Sequence, residues 1–203
     1  MKTERRTVLF PAVLAAVLLQ TACTANRAPA KHSHRTVRTT PHSAGQAAGG
    51  GLNVRADSPQ EQADYLFLLL HAEQQADGKS RLLLEEARKM TLFERAVVKG
   101  GCWDYLDRVY TRAGVPRNSR QVVHTGSLKG GPYADADQIR AGDWLYHINH
   151  GYRDTEHSGM FVAWVDKAKR QALMLSYAGE GRKEPARYKV YDLRSVYGIT
   201  RAK

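Results

Sequence analysis

The apolar positions of this chain change their rhythm several times. Behind Lys2, Arg5 and Arg6 comes an uncharged, mostly apolar run at residues 7–19. It is shorter than the about 20 residues a membrane-spanning helix needs. Its charged head and its length suit the core of a signal peptide, expected over residues 1–22. From residue 24 to 57 there is no apolar period. Gly49-Gly50-Gly51 and scattered Ser, Thr, Pro and Ala predict a disordered tether there. Order is expected from Ser58, where Ser58-Pro59-Gln60-Glu61 combines a capping serine, a first-turn proline and a glutamate three residues on. Apolar residues at 65–70 fill that helix, and Asp77-Gly78-Lys79 breaks it. A second helix is expected over about 80–89. Thr91-Leu92-Phe93-Glu94 resembles another capping box, which would open a short third helix toward Val98 and complete a helical lead-in over 58–98.

Cys102, Leu106, Val109, Tyr110 and Ala113 then share one helical face, with Gly114 and Pro116 as stop signals. Beyond them the period shortens. Residues 143–148 read as a strand. Residues 157–165 are apolar on both faces, as in a strand buried within a sheet, and 172–177, 187–193 and 196–200 continue the series. Helices followed by an antiparallel run of strands predict an α+β fold, one domain over residues 58–203. No internal repeat is visible.

Composition sharpens the picture in two ways. The formal charge is +11, which favours polyanionic partners such as anionic lipid or wall polymers, although net charge alone names none. The chain has two cysteines, Cys23 and Cys102. Cys23 closes Leu19-Gln20-Thr21-Ala22-Cys23, a sequence that resembles a bacterial lipoprotein cleavage site, with Gln20 where an aliphatic residue is usual. The expectation is an exported lipoprotein held to the membrane through Cys23, with residues 23–57 as its basic tether. In an organism with two membranes its place would be the periplasm or the outer membrane. Cys102 is then left without a partner. A buried, inert thiol or a Cys23–Cys102 disulfide are the alternatives.

Cys102 enters its helix behind Gly100-Gly101. A helix N-terminus and a nearby imidazole both favour the thiolate, which is the nucleophilic form. Backbone N–H groups around Cys102 could hold an oxyanion. Among the histidines, His32, His34 and His42 fall in the tether, His71 in the first helix and His124 in a loop. His147, His150 and His157 flank the connection between two strands. His157 opens the most apolar strand and is the favoured base, with His147 second.

Four pieces in order carry a resemblance: the helix with Cys102, then Gly114-Val115-Pro116-Arg117-Asn118-Ser119-Arg120-Gln121, then Ala141-Gly142-Asp143-Trp144-Leu145-Tyr146, then His157-Ser158-Gly159-Met160-Phe161-Val162. Together, over about residues 97–203, they resemble the NlpC family of papain-like cell-wall cysteine peptidases. The related CHAP amidases share the plan. The resemblance implies a papain-like fold with the antiparallel sheet packed on the cysteine-bearing helix, Cys102 as nucleophile and His157 as general base. The third catalytic position falls on Ser176, whose hydroxyl can orient the imidazole but brings no charge. Cys102 is flanked by Gly101 and Trp103-Asp104 where relatives usually have Asp and Ser-Gly. Val97-Val98-Lys99 stands where they usually have a tyrosine.

Two functions follow. One is an enzyme hydrolysing amide bonds in peptidoglycan stem peptides, as endopeptidase or amidase. The other is a catalytically silent wall-binding or scaffold lipoprotein on the same fold. Nucleic acid is not an expected partner, because the basic residues are not interleaved with aromatics in a binding motif. No cofactor is expected, and no His/Cys cluster has zinc-ligand spacing.

Overall fold

A computed structural model describes residues 53–76 and 78–203. The expected signal peptide, the lipidation site Cys23 and the tether up to residue 52 lie outside the described residues. Helix α1, Pro59–Gln75, starts as its sequence requires: the Ser58 hydroxyl accepts the Glu61 N–H at 3.1 Å, with proline in the first turn. Helix α2, Gly78–Arg88, runs directly into a π-helical turn, Lys89–Phe93.

The third lead-in helix expected toward Val98 does not form. Its two capping residues are engaged elsewhere. The Thr91 hydroxyl is buried against the Tyr105 hydroxyl at 3.2 Å, and the Glu94 carboxylate is gripped at both oxygens by Arg112 at 2.8 and 2.7 Å. Residues 95–99 continue as irregular chain. The Tyr177 hydroxyl fastens them by donating to Val98 O at 2.7 Å and accepting Val98 N–H at 3.2 Å.

Helix α3, Cys102–Arg112, buries Tyr105, Leu106, Val109 and Tyr110. Tyr105 joins the expected face, while Cys102 and Ala113 stay half-buried at its ends.

Six strands follow: β1 Arg120–Thr125, β2 Trp144–Asn149, β3 Thr155–Asp166, β4 Gln171–Ser176, β5 Arg187–Asp192 and β6 Val196–Ala202. They form one sheet in the order β1-β6-β2-β3-β4-β5, antiparallel at every pairing. The described residues are therefore α+β, with three α-helices ahead of an antiparallel sheet. Strand β1 was not expected. It is an edge strand paired only with β6, and its half-polar, largely exposed residues carry no alternation to read.

The sheet has two apolar faces because both are covered. Met160, Val162, Leu173, Leu175 and Tyr188 pack with Leu69, Leu83, Leu84, Leu106 and Val109 of the helices. Burial of one such Leu or Val contributes about 1.5–3 kcal/mol. On the other face Leu145, Phe161, Met174, Leu193, Val196 and Ile199 pack under Ala134 and Ile139 from the 126–143 connection. Gly142-Asp143 leads into β2. Asp143 is buried and meets Arg201 of β6 through two bonds of 2.7 and 2.8 Å, and the Tyr110 hydroxyl donates to Gly142 O at 2.6 Å. This ties helix α3, the entry to β2 and β6 into one frame.

The start of the described chain is part of that frame. Val54, placed in the tether by its sequence context, forms a parallel bridge to Tyr188 and is buried. Arg55 N–H donates to Tyr188 O, and Tyr188 N–H to Asn53 O, both at 2.8 Å. No helix among the described residues is long and apolar enough to cross a membrane.

Candidate active site

Helix α3 begins at Cys102 because of the two residues before it. Gly100 has φ +101°, and a Cβ there would fall 2.2 Å from the Asp104 carboxylate. That carboxylate needs the space, since it accepts the Gly101 N–H at 2.7 Å and caps the helix from its third position. Gly100 O in turn accepts the Glu180 N–H at 2.9 Å, holding the connection between β4 and β5 against the helix start. Trp103, on the other flank of the cysteine, packs on Trp144 with ring centroids 5.4 Å apart and carries the Arg117 guanidinium at 4.8 Å.

Cys102 is a free, half-buried thiol. Burial alone would push its pKa up. The neighbouring His157, the Ser158 hydroxyl and backbone amide, and the His157 charge outweigh burial and lower it to about 7. The ordinary thiol value is about 8.5. The Ser158 hydroxyl is buried and has no hydrogen-bond partner among the described residues. Its part in the site was not foreseen, because an inward-facing serine in a buried strand carries no chemical signature of its own.

His157 is the third residue of β3, paired with His147 of β2. It stands inside the strand, two places later than the expected opening position. Its Nε2 lies 2.9 Å from the Ser176 hydroxyl of β4, which leaves Nδ1 for the thiol. In the neutral ring, Nε2–H donates to Ser176 and Nδ1 accepts the thiol proton. Ser176 is itself held, with its oxygen 2.7 Å from the Tyr191 hydroxyl of β5. Burial raises the pKa of that phenol, so it stays protonated. Tyr191 is the residue the sequence reading missed. It stands fifteen positions beyond Ser176, and only the β4–β5 pairing brings it there.

The structure thus brings Cys102, His157 and Ser176 into one array, and it separates the other histidines from it. His147 is fully buried, without a hydrogen-bond partner among the described residues, its ring edge-on to His157 with centroids 5.5 Å apart. Burial, together with the nearby His157 and His150, lowers its pKa to about 3. It is a neutral packing wall, out of reach as the second candidate base. His150 is bound to Asp154 and Ser195, and His124 to Pro132 O. His71 stacks on Phe67 in α1. Among the described residues no group of three His, Cys, Asp or Glu side chains is disposed to hold a metal ion.

The array opens into a cleft of about 830 Å³, lined by Cys102, His157, Ser176, Tyr191 and Tyr177, and also by Arg55 and Lys189. A half-buried thiol, an imidazole and a hydroxyl that holds it, all at one cleft, are side chains of the kinds that covalent acyl transfer uses. No family model matches the chain, and no curated protein matches it significantly.

Proposed function

We propose that this protein is a cysteine hydrolase acting on amide bonds of peptidoglycan stem peptides, on a papain-like scaffold of the NlpC type. The observation that carries this reading is the continuous array Cys102–His157–Ser176 at one cleft, with the thiol lowered to about 7. The helix-borne cysteine against an antiparallel sheet, with the histidine on an inner strand, supports the scaffold.

In this mechanism the Cys102 thiolate attacks the amide carbonyl. The tetrahedral oxyanion is received by N–H groups at the start of α3, where a helix has donors without intrahelical partners. His157, protonated at Nδ1, gives its proton to the leaving amine, and the acyl group stays on sulfur. Water then attacks the thioester with His157 as base, which releases the acid and restores the thiol. Ser176 accepts from Nε2–H throughout and keeps the ring in plane with the sulfur.

Export and a lipid anchor on Cys23 would bring the basic protein to an anionic wall. The test is digestion of purified peptidoglycan by the mature protein, with mass analysis of the fragments. Fragments gaining one water at a peptide bond are expected, and none with Cys102→Ala. An unchanged digest with the intact protein would leave a wall-binding lipoprotein on the same fold as the better reading.

A further inference from the structure

We propose that Arg55, Arg187 and Lys189 form a carboxylate-binding subsite in this cleft, so that the peptide it takes carries a free carboxylate near the bond presented to Cys102. The proposal rests on the amide-hydrolase reading of the same cleft. Its origin is the strand pairing at the start of the described chain. Val54 and Tyr188 are bridge partners, and both are buried in the helix-side core. Side chains alternate along a strand. Arg55, beside Val54, and Arg187 and Lys189, on either side of Tyr188, therefore project to the opposite side. All three line the cleft.

The charge there is unmatched. Among the described residues, Arg55 and Lys189 make no ion pair, and Arg187 has only the exposed Glu184 at 3.8 Å. Asp57 is the single carboxylate residue of the lining, against these three cations and Arg182. Four arginines outside the cleft are closely paired: Arg88 with Glu73 at 2.6 Å, Arg112 with Glu86 at 2.6 Å, Arg120 with Asp107 at 2.7 Å and Arg201 with Asp143 at 2.7 Å. Like charges gathered in a partly enclosed cleft repel one another and focus a positive potential, and a bound anion relieves both.

The cluster also leads to the reacting atoms. Lys189 Nζ stands 5.6 Å from the centroid of the Tyr191 ring, and the Tyr191 hydroxyl holds Ser176. A carboxylate on Lys189 and the arginine forks is thus one side chain from the array. Guanidinium forks match carboxylates in a planar, two-bond geometry. A carboxylate rather than a phosphodiester is the group assigned, because the nucleophile at the end of the row acts on amides.

The test is calorimetric binding to the full chain carrying Cys102→Ala, which separates binding from turnover. The probes are soluble stem peptides released from peptidoglycan, native or with their carboxyl groups converted to carboxamides. Native peptides should bind at least tenfold more tightly, and R187Q/K189Q should abolish that preference while the thermal midpoint is retained. Should the double variant fail to fold, Lys189→Gln alone, on an exposed side chain, should reduce the preference severalfold. Equal binding of native and amidated peptides overturns the proposal, as does a preference that survives the substitutions. Displacement of the native peptide by poly(glycerol phosphate), lost in the double variant, assigns the site to phosphodiester polymers and also overturns it. If native peptides bind selectively but the intact protein never cleaves them, the hydrolase reading fails and the subsite stands.

Discussion

His157 Nε2 and Ser176 Oγ lie 2.9 Å apart although they are not register partners: Ser176 pairs with Gly159. The imidazole reaches diagonally over a residue that has no side chain. A Cβ on Gly159 would fall 2.7 Å from Met174 Cε and 2.8 Å from Leu175 O. The His-x-Gly spacing therefore has a mechanical reason here. The glycine lets β4 approach closely enough for its terminal serine to hold the ring of a histidine two residues away.

The thiol should titrate near pH 7. With a midpoint of about 7 against about 8.5 for a free thiol, the folded protein holds roughly 30-fold more thiolate at pH 6. Alkylation of Cys102 should be correspondingly fast there and fall about tenfold per unit at still lower pH. His157→Ala leaves burial, which raises the pKa, less opposed, so the labelling midpoint should move to 8.5 or above. A midpoint that stays near 7 in His157→Ala would sink the pairing.

Ser176→Ala removes the acceptor of one neutral hydrogen bond, worth about 1 kcal/mol. A loss in kcat of roughly five- to tenfold is expected, with little change in KM, against about 10²–10⁴ for loss of the base itself. Tyr191→Phe should give a smaller loss of the same kind and broaden the pH profile, because Ser176 keeps its place but loses its anchor. An effect confined to KM would make Tyr191 a substrate contact instead.

Arg201→Met takes its paired guanidinium from the buried Asp143 carboxylate and leaves it the Arg140 N–H and the charge of Arg140. Loss of one partner of such a pair costs about 3–5 kcal/mol. Chemical denaturation should show a loss of that order. Asp143 lies at the entry to β2 and Arg201 in β6, so the frame should loosen as a whole. A loss below about 1 kcal/mol would mean that water reaches the carboxylate.

A chain beginning at Ser58 should be less stable than one beginning at Asn53. It loses the buried Val54 side chain and two backbone bonds to Tyr188. Burial of Val54 alone accounts for about 2 kcal/mol. Limited proteolysis of the longer chain should accordingly spare the bonds between residues 53 and 58. Equal denaturation midpoints for the two chains would make the bridge dispensable.

Cys23 should carry lipid. Metabolic labelling with a fatty-acid analogue should tag the intact protein and not Cys23→Ala. Equal tagging of both would remove the anchor.

The elements of this protein that depend on local order were legible in its sequence. Ser58-Pro59-Gln60-Glu61 started α1 where expected, because a cap needs only neighbours. The apolar runs of β3 and β4 marked buried strands, because burial is written residue by residue. Cys102 and His157 stood out as reactive types at element ends. What the sequence left open required distant partners. Thr91 and Glu94 have the letters of a capping box, but Tyr105 and Arg112 take their side chains, and no third lead-in helix forms. Strand β1 has no apolar stripe and exists through its backbone ladder with β6. On strand position alone His157 is the favoured base and His147 the second. Burial keeps His147 neutral and unpartnered, while the cleft gives His157 a thiol and a serine. Tyr191 and Arg55 enter the site only through pairings of β5 with β4 on one side and the residue 53–55 segment on the other. Cap chemistry and burial pattern are local free energies and can be read along the chain. Side-chain competition, solvent exclusion and strand neighbours are set by which surfaces meet, and only the tertiary structure decides that.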